Sequence, residues 1–520
     1  MLTSYKNNLF SYLYKSKSWL TPCFLTVLSC FMFTHSLEHP SSTYWDENYH
    51  IPSAQKYVSG VLYMEPHPPL GKMLIGLSEY LVGDNEGIAM SRLLKTDFIK
   101  TKQVPKDMRF FAFRLPSALL MGLSIFFFYH AIYLLTQHRG IASTFSLFFI
   151  FDNALAVHSR AAMLEGIQIF FIAASIWYLI HTLSKATKVT LTNYGVLGLF
   201  TGLAVAVKIN SLILCLLLGI LIFEDILTNY KSHSFLKVLM KSLSGSFIFF
   251  ISLSSVMLLV MYCHIGMNSK IIDDHSYKAS ANYINALNTE GSWSHKSFYY
   301  GLQDHFRYHS EYAQGVPRLD ACKKVGENGS SWSHWPFGGK AINYRWKKHT
   351  TRNRPKGISR WRKKASSKQT AVAYSYLVAN PFVWLSAALG ILMSVSLIIS
   401  RYAYGTTIKD KKLFRWISYF TLMYISYLTA ISQIERVMYL YHYFIPLIFA
   451  IINLSLLFSY LFKDKLINKN WGVIFSLISI ALLTVGLFIW FSPLTYSTPL
   501  TDTQFALRNW LAIWEMTAIK

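Results

Sequence analysis

The residues best suited to chemistry lie in the polar segment that follows the first apolar run of the chain. Asp46 and Glu47 are adjacent carboxylates within the aromatic stretch 44–50. Residues 67–72, His-Pro-Pro-Leu-Gly-Lys, then open a second apolar stretch, with proline where the first turn of a helix tolerates it. A carboxylate close to a hydroxyl can take its proton as a general base. The alternative for the two acids is a solvated pair in a loop.

Four cations stand at the ends of later apolar runs, on the side of the membrane where the two acids are expected: Arg114, Arg160, Lys208 and Arg436. A guanidinium fork matches a pair of phosphate oxygens, and several converging cations stabilise a departing phosphate. Each cation taken alone is also explained as an interfacial side chain whose charged end reaches water. Together with one base, the four cations indicate transfer of a group from a phosphate to a hydroxyl.

The elements that position these residues are predicted to be membrane helices. The chain has 520 residues, of which 53% are hydrophobic and only 14% charged, and its mean hydropathy is +0.31. This composition excludes intrinsic disorder, a collagen-like fibre and a small disulfide scaffold. A spanning helix needs about 20 mostly apolar residues. The sequence therefore predicts an all-α polytopic membrane protein with about 11 transmembrane helices, at 19–36, 114–136, 141–157, 163–183, 192–207, 209–227, 242–264, 380–400, 416–432, 438–462 and 471–491.

The distribution of Lys and Arg predicts the orientation of these spans, because positive residues near helix ends stay on the cytoplasmic side. With the N-terminus inside and the first run retained as a span, the short outside loops hold Arg160, Lys208 and Arg436. The inside segments hold Lys6, Lys15, Lys17, Arg139, Lys185, Lys188, Lys231, Lys237, Lys241, Arg401, Lys409, Lys411, Lys412, Arg415, Lys463, Lys465 and Lys469. The C-terminus is then outside, after an odd number of spans.

This topology divides the chain into six parts. They are a cytoplasmic tail with the first span (1–36), a first external, catalytic loop (37–113), spans two to seven (114–264), a large basic external loop (265–379), spans eight to eleven (380–491) and an external tail (492–520).

The large external loop carries an unusual excess of positive charge. From Lys340 to Lys368 it has twelve Lys or Arg residues and no acid, interleaved with Trp346 and Trp361. Beside a membrane such a loop is expected to meet lipid headgroups or an acceptor, and nucleic acid is not expected as a partner. Cys263 and Cys322 both face outside in this topology, which leaves open whether they pair.

The motifs along the chain resemble those of the protein O-mannosyltransferases that use a polyprenyl-phosphate sugar, a family with the class C glycosyltransferase fold. The first-loop acids followed by residues 67–72 are similar to the signature of that family. Further similar elements are Arg114-Leu115-Pro116-Ser117, Ser159-Arg160 with Met163-Leu164-Glu165, Val207-Lys208, Trp332-Ser333-His334-Trp335-Pro336 with Tyr344 and Trp346, and Arg436 with Tyr441-His442-Tyr443. The loop 265–379 is too short for the β-rich insert of eukaryotic members beside its Trp-Pro segment, so the chain looks like a bacterial relative.

The residues and the resemblance together give an expected site. Asp46 is the expected general base, and Glu47 is expected to position the acceptor, to shape the field at Asp46 or to hold the loop. The cations expected at the donor phosphate are Arg114, Arg160, Lys208 and Arg436. The residues expected to contact substrate are His67, Glu165, Trp335, Tyr441 and His442. His67 either bonds the sugar or caps its own helix, and Glu165 either touches substrate or neutralises Arg160.

The expected reaction moves a sugar, which is expected to be mannose, from a polyprenyl phosphate to Ser or Thr hydroxyls of translocated proteins. One base and one attacking hydroxyl imply direct displacement with inversion at the anomeric carbon. No cofactor is expected to be required, although Asp46, Glu47 and Glu165 together are able to bind a divalent ion. The sequence has no glycine-rich phosphate loop, which favours a lipid donor over a nucleotide sugar.

Two alternatives stay open at this point. In the first, the chain is a lipid-linked-sugar transferase of the same enzyme class whose acceptor is lipid A, a glycolipid or another glycan. In a different class, the chain is a multi-span transporter, although it has no internal repeat of the kind that transporters show. The expected location is a bacterial inner membrane, with the N-terminus in the cytoplasm and the site on the periplasmic face, in contact with membrane lipids.

Overall fold

The computed structural model describes residues 19–185, 189–229, 234–272, 278–318, 328–352 and 368–519. Several residues named above lie outside this part of the chain: Lys6, Lys15, Lys17, Lys188, Lys231, Cys322 and Trp361. The pairing of Cys263 with Cys322 and the central part of the basic stretch 340–368 are therefore untested.

A bundle of largely apolar helices, most of them long, forms the body of the protein. Its helices are α1 (Trp19–Thr34), α5 (Phe111–Thr136), α6 (Arg139–Ile150), α7 (Asn153–Ser159), α8 (Glu165–Lys185), α9 (Leu191–Val207), α10 (Cys215–Asn229), α11 (Phe235–Met267), α14 (Pro381–Tyr404), α15 (Lys411–Ser432), α16 (Phe444–Ile467) and α17 (Trp471–Thr495). Short 3-10 turns at Ile209–Leu214 and Leu440–Tyr443 lead into α10 and α16. Every one of the eleven predicted spans falls on one of these helices or on a helix pair.

The lengths of the helices agree with a membrane-spanning bundle. Among the described residues, seven helices are individually long and apolar enough to cross a membrane, and α6 with α7 makes up to eight. The helices α1 and α9 are apolar but shorter. The protein is therefore an integral membrane protein.

The third predicted span is broken rather than continuous. Helices α6 and α7 meet at an angle of 57°, and Asp152 lies at the break. Its carboxylate accepts hydrogen bonds from the backbone N–H of Leu155 at 2.9 Å and of Asn380 at 3.1 Å, and from Trp384 Nε1 at 2.8 Å. These bonds satisfy a buried acid and start a new helix, so α7 turns toward the external segments and carries His158 there.

The external segments add short helices and one small sheet. The first contains α2 (Glu47–Ser59), α3 (Leu70–Val82), α4 (Ser91–Leu94) and a 3-10 turn at Thr101–Gln103; the second contains α12 (Ala281–Glu290), α13 (His295–Gly315) and a 3-10 turn at Trp332–Phe337. Strands β1 (Ile342–Arg352), β2 (Lys368–Leu377) and β3 (Pro499–Leu500) form an antiparallel sheet in that order. The tail ends with α18 (Asp502–Ala506) and a 3-10 turn at Ala512–Trp514.

This small sheet accompanies the predominantly helical fold that the sequence predicts, and it was not itself predicted. Val372, Tyr374 and Tyr376 alternate along β2, are buried, and pack in one cluster with Phe505 and Trp514 of the tail. Alternation with a period of two is the signal of a half-buried strand. The sheet therefore anchors the C-terminal tail against the large external loop.

Close packing of the bundle depends on small residues where helices cross. Gly166 of α8 lies against the backbone of Ser117 on α5, and a Cβ atom at this position would collide with the Ser117 carbonyl oxygen. Gly198 of α9 lies in the same way against the backbone of Phe249 on α11. Such residues allow membrane helices to approach closely in the absence of a hydrophobic driving force between them.

Candidate active site

An outer cavity of about 390 Å³ lies between the first external segment, α13 and the residues just before α16. Six of the predicted site residues line it: Asp46, His67, Lys208, Arg436, Tyr441 and His442. Several tyrosines, which include Tyr63, Tyr308 and Tyr312, form part of the remaining walls, together with Lys72 and Asp97. The cavity therefore brings together residues from distant parts of the sequence, and in it the Asp46 carboxylate faces Lys208 and Arg436.

Asp46 is placed at the start of α2, where its carboxylate is only partly exposed to the cavity. The Tyr441 hydroxyl donates to Asp46 Oδ2 at 3.4 Å, and the carboxylate makes no ion pair within the described part of the chain. Burial raises the pKa of Asp46, and the positive charge of Lys208 opposes this shift. A partly desolvated carboxylate with a raised pKa is a stronger base than an ordinary aspartate.

Glu47 points away from the cavity into the protein. Its carboxylate is fully buried and accepts from Arg114 Nε at 2.7 Å and Nη2 at 2.9 Å, and from the backbone N–H of Ala162 at 2.9 Å and of Tyr44 at 3.2 Å. The pair joins α2, α5 and the turn before α8. Of the roles expected for Glu47, the one that matches these contacts is holding the loop.

Arg114 corrects the expectation of a donor-phosphate ligand. Besides Glu47, its guanidinium donates to the carbonyl oxygens of Leu37 at 2.6 Å, Pro40 at 3.0 Å and Ser42 at 3.0 Å. These bonds and the two to Glu47 use all five N–H donors of a guanidinium. The side chain is completely buried and does not line the outer cavity. Arg114 therefore fixes the segment that leads from α1 to Asp46.

Arg160 is a second correction of the same kind. It donates to the carbonyl oxygen of His35 from Nε at 3.1 Å, to that of Ser36 from Nη2 at 2.8 Å, and to that of Thr495 from Nη1 at 3.0 Å. Its guanidinium also lies 4.4 Å from the centre of the Tyr496 ring. Arg160 ties the ends of α1 and α17 together and does not reach the cavity, since its donors are directed at backbone carbonyls.

Lys208 reaches the cavity and is held there by a chain of polar contacts. Its ammonium group pairs with the Glu165 carboxylate, and it lies 5.2 Å from the centre of the Tyr441 ring. His158 Nε2 lies 2.8 Å from Glu165 Oε2 and must carry the proton there, because a carboxylate only accepts. His158 Nδ1 lies 2.6 Å from the Tyr344 hydroxyl. Glu165 therefore neutralises Lys208 and not Arg160, the partner considered from the sequence.

Arg436 and His67 stand where the outer cavity meets a second pocket. This apolar side pocket of about 260 Å³ runs between the turn Ile209–Leu214 and the end of α15, and it shares Arg436, His67 and Lys208 with the cavity. Arg436 forms no side-chain hydrogen bond or ion pair with other described residues. Burial and the charges of Lys208 and Lys72 hold the pKa of His67 well below its usual value, so its ring is neutral. His67 does not cap α3.

Trp335 supports the site from behind and does not contact the cavity. It is fully buried, donates from Nε1 to Ser330 Oγ at 2.9 Å, and stacks on His442 with ring centres 6.1 Å apart. The expectation that it binds substrate is corrected, because His442 separates it from the cavity.

The geometry does not assemble the three acids that were considered as ligands of a divalent ion. Glu47 is bonded to Arg114, and Glu165 is bonded to Lys208 and His158, which leaves Asp46 alone at the cavity. Within the described ranges, no group of three His, Cys, Asp or Glu residues is arranged to hold a metal ion.

Two family models match the chain in succession. Residues 23–267 match the model described as dolichyl-phosphate-mannose-protein mannosyltransferase, and residues 302–514 match the C-terminal four-transmembrane region of protein O-mannosyltransferase. The chain belongs to the protein O-mannosyltransferase family. The resemblance seen in the sequence motifs is thereby confirmed, and both the outer cavity and its supporting contacts fall largely within the matched segments.

Individual relatives match shorter parts of the chain. Protein O-mannosyl-transferase 2 of Drosophila melanogaster is 29% identical over 196 residues, which cover 36% of this chain and 24% of the relative. Dolichyl-phosphate-mannose–protein mannosyltransferase 3 of Saccharomyces cerevisiae is 27% identical over 214 residues, which cover 39% of this chain and 27% of the relative. The alignments thus span about a quarter of the length of these relatives.

A solved structure shares the fold over nearly the whole chain. It is that of the S. cerevisiae protein O-mannosyltransferase Pmt1–Pmt2 complex bound to the sugar donor, with a TM-score of 0.78 at 14% sequence identity, covering 96% of this chain and 93% of that chain. The predicted class C glycosyltransferase fold is therefore confirmed.

Sequence reasoning missed four residues that build the site. Lys72 lines the cavity and pairs with the buried Glu65 at 2.7 Å, and the same carboxylate accepts the backbone N–H of His67 at 3.0 Å. His158 and Tyr344 complete the chain of contacts to Lys208. Lys72 and Tyr344 stood inside recognised motifs, whereas Glu65 and His158 gave no signal beyond being polar residues next to apolar runs.

Proposed function

We propose that this chain transfers a mannosyl group from a polyprenyl-phosphate donor to Ser or Thr hydroxyls of a protein, with Asp46 as the general base. The observation that carries the proposal is the outer cavity itself, in which a carboxylate without an ion pair faces Lys208 and Arg436 at the mouth of an apolar pocket. Membership of the protein O-mannosyltransferase family supports the choice of donor and acceptor.

The donor would lie across the junction of the two pockets. Its isoprenoid chain fits the apolar side pocket beside Leu212, Ile213 and Ile431, which opens toward the membrane helices. Its phosphate would then lie between Lys208 and Arg436. Arg436 has an unused guanidinium fork, and such a fork binds two phosphate oxygens at once. The sugar would extend into the outer cavity, toward Asp46.

The transfer step follows from this placement. The acceptor hydroxyl gives its proton to an Asp46 carboxylate oxygen while its oxygen forms a bond to the anomeric carbon. The bond between that carbon and the phosphate oxygen breaks, and its electron pair stays on the phosphate. Lys208 and Arg436 stabilise the negative charge that develops there. Attack from the face opposite the phosphate inverts the anomeric carbon in a single displacement. Asp97, the other carboxylate among the described residues of the cavity lining, is paired with Lys56, which leaves Asp46 as the carboxylate assigned to the reaction.

Charge balance supports a reaction without a metal cofactor. Lys208 and Arg436 would both face the leaving phosphate, and no carboxylate of the described residues is paired with Arg436. We expect transfer to continue in the presence of EDTA at a concentration that strips divalent ions. A loss of transfer that Mg²⁺ or Mn²⁺ restores would overturn this part of the proposal.

The proposed location has the N-terminus in the cytoplasm and the outer cavity on the opposite face, as the distribution of Lys and Arg indicates. The loop 265–379 is too short for the β-rich insert of eukaryotic members, which favours a bacterial inner membrane, with the cavity facing the periplasm. Labelling of single cysteines by a membrane-impermeant maleimide in intact cells tests the orientation. Cysteine at Asp107 should react from outside, and cysteine at Lys412 only after the membrane is opened.

The experiment that tests the function supplies labelled polyprenyl-phosphate mannose to the purified protein in nanodiscs, with a Ser/Thr-rich peptide and a glycolipid extract as competing acceptors. Label in the peptide supports the proposal, provided that Asp46→Asn abolishes it and the exposed control Asp107→Asn does not. Label in lipid alone would move the protein to the alternative acceptor class. If the protein transferred no label from this donor but used another polyprenyl-phosphate sugar, the assignment of mannose as the transferred sugar would be overturned.

A further inference from the structure

A second pocket lies at the far end of the helix bundle from the outer cavity. It has a volume of about 210 Å³ and is lined by residues from α1, α5, α6 and α8, which include Trp19, Tyr133 and Trp177. Helix α5 has 26 residues and starts near the outer cavity, so at 1.5 Å per residue its two ends are about 39 Å apart. This far pocket therefore faces the other leaflet of the membrane.

The chemistry of the far pocket is cationic and aromatic. Arg139 and Lys185 stand at its rim, and the imidazoles of His130 and His181 line it. No carboxylate of the described chain lines this pocket. Lys185 and His181 make no hydrogen bond or ion pair with other described residues. A pocket that carries cations at its rim and is lined by no carboxylate of the described residues attracts an anion and disfavours a further cation.

The tryptophan walls of the far pocket contact the rings of the same two histidines. The Trp19 ring lies 5.2 Å from that of His130, and the Trp177 ring lies 5.0 Å from that of His181. His130 is fixed because its Nδ1 donates to the Phe126 carbonyl oxygen at 2.8 Å. Tryptophan and tyrosine prefer the level of the lipid headgroups, where one edge is apolar and the other wet.

We propose that the far pocket binds the headgroup of an anionic glycerophospholipid. Its phosphodiester lies between Arg139 and Lys185 and accepts a hydrogen bond from His181, while the start of an acyl chain lies against Phe126 and Leu134. The general excess of positive residues on one side of a membrane protein accounts for the two cations alone. It does not account for a concave site that combines them with two imidazoles between tryptophan walls.

A zwitterionic lipid fits this pocket less well. Its choline or ethanolamine group carries a positive charge that would lie beside Arg139 and Lys185 with no carboxylate to neutralise it. A soluble phosphate would satisfy the cations but would leave the aromatic walls exposed. The pocket therefore selects a lipid that carries net negative charge, such as phosphatidylglycerol.

Native mass spectrometry of the purified full chain tests this proposal without relying on its catalytic activity. The delipidated protein is given phosphatidylglycerol, phosphatidylcholine of equal chain length, or soluble glycerol phosphate, and retained adducts are counted. We expect about tenfold greater retention of phosphatidylglycerol than of phosphatidylcholine, because each cation near a headgroup contributes separately to binding.

Matched variants make the result specific to the far pocket. Arg139→Gln with Lys185→Gln should abolish the preference, whereas the exposed control Arg401→Gln with Lys412→Gln should keep it. His181→Trp fills the pocket while both cations remain, and it should abolish the preference as well. Equal retention of the two lipids by the wild type, an unchanged preference in His181→Trp, or retention of glycerol phosphate equal to that of the lipid would overturn the proposal.

Discussion

Removing either partner of the buried pair between Glu47 and Arg114 should destabilise the protein without weakening donor binding directly. Both side chains are fully buried, and their oxygen and nitrogen atoms lie 2.7 Å apart. Breaking such a pair leaves an uncompensated buried charge, which costs about 3–5 kcal/mol of unfolding free energy. Arg114→Gln should cost more than Glu47→Gln, because it also removes partners from three backbone carbonyls.

The assay is thermal unfolding of the detergent-solubilised protein, followed by intrinsic tryptophan fluorescence, together with donor binding at a temperature where every variant is folded. The double variant Glu47→Gln with Arg114→Gln should lose much less than the sum of the two single variants, since it removes both charges. Arg109→Gln, an exposed arginine of the same external segment, is the matched control and should unfold like the wild type.

One outcome would refute this reasoning. If Arg114→Gln unfolded like the wild type but bound the polyprenyl-phosphate donor at least about tenfold more weakly, Arg114 would be a phosphate ligand after all. Its five hydrogen bonds to protein would then describe a resting arrangement that the donor rearranges. Arg436→Gln, in contrast, should unfold like the wild type and bind the donor more weakly, because the Arg436 guanidinium lines the outer cavity and bonds to no other described residue.

Three further predictions follow from single features of the structure. Lys208 lowers the pKa of Asp46, so Lys208→Gln should shift the acid limb of the pH–rate profile of kcat/KM to higher pH. In the wild type this limb should already lie above the ordinary aspartate pKa of about 3.9, and a limb that Lys208→Gln does not shift would contradict the assignment of Asp46 as the base. Gly166→Ala should lower the unfolding free energy by about 1–3 kcal/mol through a collision with Ser117, whereas Gly219→Ala, with open space around it, should be neutral in the same thermal scan. Burial lowers the pKa of His305 to about 4 in the folded protein, so as the pH falls this histidine is protonated in the unfolded chain before it is protonated in the folded one. The free energy of unfolding should therefore fall as the pH drops from about 6.5 to about 4. His305→Gln should flatten this dependence on pH, and an equal slope in the variant and the wild type would contradict the prediction.

The membrane helices were predictable because a span must meet two strict conditions at once. It must be apolar over about 20 residues, and it must satisfy its own backbone hydrogen bonds within the membrane. Both conditions can be read from a short window of sequence. The break at Asp152 was not predicted, although an acid followed by Asn153 inside an apolar run is a recognisable start of a new helix.

The small sheet was missed for a different reason. Strand β1 lies in the most basic part of the chain, where a row of exposed cations hides the alternation of buried Ile342 and Tyr344. In β2 the alternation of Val372, Tyr374 and Tyr376 is clear once one looks for a period of two. A search for apolar runs of membrane length does not detect such a pattern.

The candidate site was predictable as a set of residues but not as a set of roles. Arg114 and Lys208 stand at similar positions relative to apolar runs, and nothing local to either one tells them apart. Their roles depend on which groups the tertiary fold brings to them. The loop before α2 turns three carbonyls and Glu47 toward Arg114, whereas Lys208 meets one carboxylate and the open cavity. Such differences appear only when distant segments pack together.

The measurement that tests the central claim most directly is the single-turnover rate of mannosyl transfer by purified wild type, Asp46→Asn and the control Asp107→Asn, with donor binding measured in parallel. Loss of a general base at Asp46 should slow transfer by about 10²–10⁴-fold, while the donor binds within a few-fold of the wild type. Transfer by Asp46→Asn at a near-normal rate, or a loss explained entirely by weaker donor binding, would contradict the assignment of Asp46 as the base.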